Sequence, residues 1–158
     1  MNIATRTRLS RVLRRTASDE DGQALVEFAL VLPLLMLAIA MVLEFGKVFH
    51  YWQDESHLAS QGARLASVNS NPGGGSLQSY LQGQADAPEL RDGGTDAIAD
   101  PVKVCITPGA KIGDPVKVEV STTYKWLPIL GGVATSTIRD SATMRMERLP
   151  TKYSGGCS

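Results

Sequence analysis

From Ala24 to Leu43 the chain reads ALVEFALVLPLLMLAIAMVL, a run that carries one charge, Glu27. A helix built from it is apolar on every face and has no side to offer water. About 20 helical residues cover the ~30 Å hydrocarbon layer of a bilayer. Each Leu, Val, Ile or Phe favours insertion by roughly 0.3 to 0.6 kcal/mol, against a cost of about 2.5 kcal/mol or more for one mid-membrane carboxylate. The apolar side wins, so one membrane crossing is expected. The competing readings are a buried helix of a soluble core and a secretory signal cut after Ala38-Ile39-Ala40. Against the signal, the run is long for such a segment and contains both Glu27 and Pro33. Pro33 removes a backbone donor and is expected to kink the helix.

Direction follows from the flanks. Arg6, Arg8, Arg11, Arg14 and Arg15 precede the run, followed by Asp19, Glu20 and Asp21. Cytoplasmic flanks carry the Lys and Arg excess, so the N-terminus is expected inside and the C-terminal part outside the cytoplasm. Arg14-Arg15 is a poor twin-arginine signal, because acids and not an apolar run follow it. Tyr51 and Trp52 stand slightly beyond a minimal span, where an aromatic belt would meet the far interface, with simple packing the competing reading. The 16 Lys and Arg balance 16 Asp and Glu, a formal net charge of +0, which supplies no general attraction for nucleic acid. A chain of 158 residues has room for the anchor and one small domain.

Beyond the anchor, small or apolar residues recur at helical spacing as Leu58, Gly62, Leu65 and Ala59, Ala63, Ala66, with no proline before Pro72. One helix of ~45 residues, about 65 to 70 Å long, is predicted, its Ala-rich face docking on the sheet of the domain that follows, with a partner helix the alternative. His50, Asp54 and His57 share that stretch but lack a third strong ligand, and a solvated charged face accounts for them; no metal site is assigned. Asn71-Pro72-Gly73-Gly74-Gly75-Ser76 is predicted to end the helix and has no phosphate-loop signature. A short helix is expected within Leu77 to Leu90, then a loop at Arg91-Asp92-Gly93-Gly94.

The period then changes to two. Val102, Val104 and Ile106 share one face, and after the turn from Pro108 to Pro115 so do Val116, Val118 and Val120. A third strand is predicted from Thr135 to Arg148, reached through Leu127-Pro128-Ile129-Leu130-Gly131-Gly132. The fold class is therefore α+β: a long N-terminal transmembrane and stalk helix packed on a small three-stranded antiparallel sheet. The expected partition is a basic cytoplasmic leader at 1–22, a transmembrane helix at 23–45, its continuation at 46–70, a connector at 71–100, the sheet at 101–150 and a tail at 151–158. Cys105 and Cys157 are the only cysteines, an even number in an oxidising compartment, and are expected to form a disulfide, with free thiols the competing reading.

The string Gly22-Gln23-Ala24-Leu25-Val26-Glu27-Phe28 ends a basic leader at a glycine and places a glutamate five residues into an apolar helix. It resembles a type IV prepilin processing site, and more closely the TadE-like family of minor pseudopilins of tight-adherence (Tad, or Flp-type) pili, whose opening reads much like GQALVEFALVLP. The resemblance implies a pilin-like fold and cleavage by a prepilin peptidase between Gly22 and Gln23, leaving Glu27 as the fifth mature residue. It also implies that Glu27 pairs with the freed amine of a neighbouring subunit. The alternative is that Glu27 snorkels to the cytoplasmic interface. Phe28 stands where major pilins usually carry Tyr, and the ectodomain is far larger than theirs; both departures favour a minor component.

The partners so implied are the membrane, the peptidase, other pilins or pseudopilins and the inner-membrane assembly platform. No nucleophile with its base, carboxylate pair or cofactor loop is recognisable, so no catalytic residue, cofactor or enzyme activity is assigned. The alternatives to a pilus component are an unprocessed single-pass membrane protein with a periplasmic interaction domain, a secreted binding protein released after Ala40 and, least favoured, an anchored enzyme.

Overall fold

A computed structural model describes residues 3–127, 131, 132 and 134–158, and the side chains of those from Gly22 onward. The leader arginines and the Pro128-Ile129-Leu130 part of the connector lie outside the described side chains. Helix α1 covers Ile3–Ser67, α2 Leu77–Gln82 and α3 Pro88–Asp92; the strands are β1 Lys103–Thr107, β2 Pro115–Trp126, β3 Ala134–Arg145 and β4 Gly156–Cys157. The chain divides into two compact units at Val42 and Leu43.

In the first unit the apolar run is helical, with Pro33 inside the helix. Its large side chains are exposed among the described residues, Leu30 at 75% and Leu34 at 70%.

The second unit is an α+β domain. Alternation along β2 puts Val116, Val118, Val120, Thr122 and Tyr124 on a buried face. The register pairs Val104 with Val120 and Ile106 with Val118 in β1, and Val116 with Met144 and Val118 with Ala142 in β3. Onto this face α1 lays Tyr51, Leu58, Ala59, Ala63 and Ala66, while Leu77, Leu81, Leu90 and Ile98 close the same core. The Ala-rich face thus docks on the sheet, as expected. Gly62 marks the closest approach: a Cβ there would stand 2.7 Å from Leu81 Cδ1 and 3.0 Å from Val118 Cγ1.

Four boundaries differ from expectation. The sheet has four strands, in the order β3-β2-β1-β4. The added strand β4 is two residues long, too short for an alternation to show, and is held by its pairing of Cys157 with Cys105 and Gly156 with Ile106. Helix α1 stops at Ser67, ahead of the Pro-Gly run, because Asn69 takes the left-handed conformation (φ 53°). The Asn69 N–H donates to the Ala66 carbonyl at 3.1 Å and the Ser70 N–H to the Leu65 carbonyl at 2.8 Å, the paired bonds of a Schellman cap. Strand β3 ends at Arg145 and not Arg148, since the Glu147 and Arg148 N–H groups turn to the Ser67 carbonyl at 2.8 and 3.3 Å. The expected helix within Leu77 to Leu90 is two helices: Ser76 caps α2 through its Oγ, and Pro88 opens α3.

Candidate functional site

The junction from Gly22 to Phe28 lies within α1, and every side chain in it is exposed. A Cβ added at Gly22 meets nothing within 4 Å among the described residues, and the backbone there is not left-handed. Neither packing nor conformation therefore explains a glycine at this position. Gln23 Nε2 approaches Glu27 Oε1 at 3.4 Å, one helical turn away. Among the described residues no cation reaches Glu27, and Phe28 is 60% exposed. The junction presents a carboxylate that has no cation partner and an exposed apolar wall among the described residues.

Where α1 enters the second unit, side chains separated by most of the chain converge. Glu44 accepts a hydrogen bond from the Tyr124 hydroxyl and a weaker one from Lys47 Nζ at 3.4 Å. Tyr124 packs against Tyr51 at 5.8 Å and edge-on against Trp126 at 5.5 Å between ring centroids. Trp126 Nε1 donates to Ser136 Oγ at 2.8 Å. Sequence reasoning does not find this aromatic and carboxylate cluster, although a signal for it exists: Tyr124 shares the inward parity of β2, and Glu44, Tyr51 and Leu58 stand seven residues apart. Tyr51 consequently belongs to the core, 6% exposed, and not to an aromatic belt. Trp52, its neighbour in the expected belt, faces out at 43% exposure.

Asp54 also departs from the solvated face expected of it. It is buried, and its Oδ2 accepts the Ala87 N–H at 3.0 Å, fixing the chain ahead of α3. Glu55 is fully buried with neither carboxylate oxygen hydrogen-bonded, and Thr122 Oγ1 is likewise without a partner. Burial, then the negative charges of Asp140 and Asp54, push the Glu55 carboxyl up to about 8. His50 and His57 are exposed on the helix.

Cys105 and Cys157 are bonded to each other, directly opposite across β1 and β4. Gln78 Nε2 holds the same tail by donating to the Ser154 and Gly156 carbonyls at 3.0 and 3.2 Å. The outer face of the sheet carries an open concavity of about 680 Å³ lined by Lys103, Ser121, Lys125 and Thr137, in which the titratable side chains are exposed.

Among the described residues one helix is long and apolar enough to cross a membrane, and it leads into a disulfide-closed α+β domain, an arrangement that suggests membrane anchoring. Residues 22–64 match the family model described as TadE-like protein, the family that the junction resembles. The match covers the junction, the apolar run and most of the docked helix. No curated protein and no solved structure matches the chain.

Proposed function

We propose that this protein is a minor pseudopilin: a structural, non-catalytic subunit of a Tad-type pilus or related secretion machine, processed by a prepilin peptidase after Gly22. The observation that carries the reading is the junction itself. A glycine that packs against nothing and a glutamate that meets no cation among the described residues open an apolar helix, within a segment that matches the TadE-like model. A lone carboxylate on a lipid-facing helix is costly, and a new amine at Gln23 supplies a cation of the right sign. The geometry of a helix gives the pairing its distance: Gln23 and Glu27 lie one turn apart, so a neighbour displaced along the helix axis brings its own amine alongside Glu27. The exposed apolar surface from Leu25 to Val42 first meets lipid and, on assembly, the equivalent helices of other subunits. The domain is carried to the periplasmic side of the inner membrane, where an oxidising environment suits the Cys105–Cys157 bond.

Glu27→Gln tests the assembly role. The variant is expected to insert in the membrane and be processed, yet to reach sheared filaments in much reduced amount. Incorporation equal to the wild type removes the pairing from the proposal.

A further inference from the structure

Within the second unit, α1 buries one face and leaves another bare. Glu44, Tyr51, Glu55 and Leu58 point into the domain. Phe45, Phe49 and Trp52, at i, i+4 and i+7, form a stripe on a different face, 66%, 49% and 43% exposed. The Phe49 and Trp52 rings lie 5.8 Å apart, a contiguous aromatic surface left exposed among the described residues. Three large aromatics clustered in the open on one helix face are unusual for a surface meeting only water.

Two observations choose the occupant. The stripe follows directly on the apolar run of the same helix, and it stops at Trp52, where the next positions on that face are Ser56 and Ser60. A seam for a partner helix would keep its apolar period over further turns. A lipid boundary ends at one depth. The membrane-length run ends at Leu43, and Phe45, Phe49 and Trp52 follow it within about 14 Å of helix, the stretch in which a tilted helix leaves the hydrocarbon through the headgroup layer. Trp and other amphipathic rings favour that layer.

We propose that Phe45, Phe49 and Trp52 form an interfacial face that sits in the lipid headgroup layer and holds the α+β domain against the membrane surface. The proposal rests on the membrane anchoring of α1 and adds a second lipid contact to it. The inward-facing Glu44 suits that position, because Tyr124 and Lys47 satisfy its carboxylate away from the lipid.

The chain contains two tryptophans, Trp52 and Trp126, so Trp126→Phe leaves Trp52 as the sole indole reporter. The full chain carrying that change is reconstituted in phosphatidylethanolamine and phosphatidylglycerol vesicles containing spin-labelled lipid, with the label either next to the headgroup or at the chain end. Trp52 emission is expected to shift to the blue on reconstitution and to be quenched more strongly by the headgroup-proximal label. Should Trp126→Phe disturb the fold, the difference between wild-type and Trp52→Phe spectra gives the same signal. Protein that floats with the vesicles but shows water-like, unquenched Trp52 emission overturns the proposal while leaving the anchoring intact. So does a blue shift that appears only at high protein-to-lipid ratio with no quenching, which assigns the face to a second copy. Failure to float removes the anchoring, and the interfacial face with it.

Discussion

The Tyr124 hydroxyl donates a hydrogen bond to the Glu44 carboxylate, joining the end of β2 to α1 across 80 residues of sequence. Both side chains are buried, and burial followed by the nearby Glu44 charge holds the Tyr124 hydroxyl protonated well above its ordinary range. Tyr124→Phe keeps the ring contacts with Tyr51 and Trp126 but leaves a buried carboxylate short of a donor. A loss of about 1 to 3 kcal/mol is expected in chemical denaturation of the full chain in detergent. The double variant with Glu44→Gln should recover part of that loss. Additive effects in this cycle would show that the two groups are not coupled.

Glu55 sets a pH dependence. Its carboxyl is raised from an ordinary 4.5 to about 8 by burial and by Asp140 and Asp54, so between those values the folded chain holds a proton that the unfolded chain has released. Stability from this group is therefore whole below about 4.5, falls as pH rises, and is lost by the time pH has passed about 8. The span corresponds to a few kcal/mol, to order of magnitude. Glu55→Gln should flatten the thermal-stability profile across that window and be the more stable protein at its alkaline end. A wild-type profile that rises with pH through the same window would contradict the burial of an unpaired acid here.

The Cys105–Cys157 bond closes a loop with a sequence separation of 52. Chain-entropy reasoning assigns such a closure about 4 kcal/mol. Replacing both cysteines with Ser should lower the melting temperature and release β4 first, because that strand has two residues. Hydrogen exchange is the check: the Ser158 N–H, which donates to the Val104 carbonyl at 3.0 Å, should lose protection while amides inside the β2–β3 ladder keep theirs.

Asn69 combines a backbone duty with a side-chain one. Its left-handed conformation ends α1, and its side chain bonds the Thr151 hydroxyl at 2.7 Å and the Thr151 and Lys152 N–H groups at 3.0 and 2.9 Å. Asn69→Gly retains the conformational freedom and loses the three bonds; Asn69→Ala loses both. Ala is expected to be the more destabilising, by up to about 1 kcal/mol beyond Gly. Equal melting temperatures for the two variants would mean that the backbone conformation carries no cost.

How much of the fold is legible in the residues depends on how local each signal is. The membrane-length run, the inward valines of β1 and β2 and the docking face at Leu58, Ala59, Ala63 and Ala66 repeat over many residues, and periodicity finds them. The Gly22–Phe28 junction is legible because its residues stand adjacent in sequence. By contrast β4 is two residues, and the cap at Asn69 is one residue whose conformation outweighs the Pro-Gly run three positions later. The Glu44–Tyr124 bond and the buried Glu55 join elements far apart in the chain. Glutamates look alike in sequence whether they face water or a sheet, so Glu55 announces itself only once the helix has a neighbour.

The pseudopilin reading stands or falls with the start of the mature chain. N-terminal sequencing and intact mass should be taken on protein recovered from the membranes of cells that possess the matching prepilin peptidase, and again from cells lacking it. Processing gives Gln23 as the first residue in the former and the uncut leader in the latter. Protein that begins at Met1 or Asn2 in both would contradict cleavage after Gly22, and would make the chain a permanently anchored domain instead.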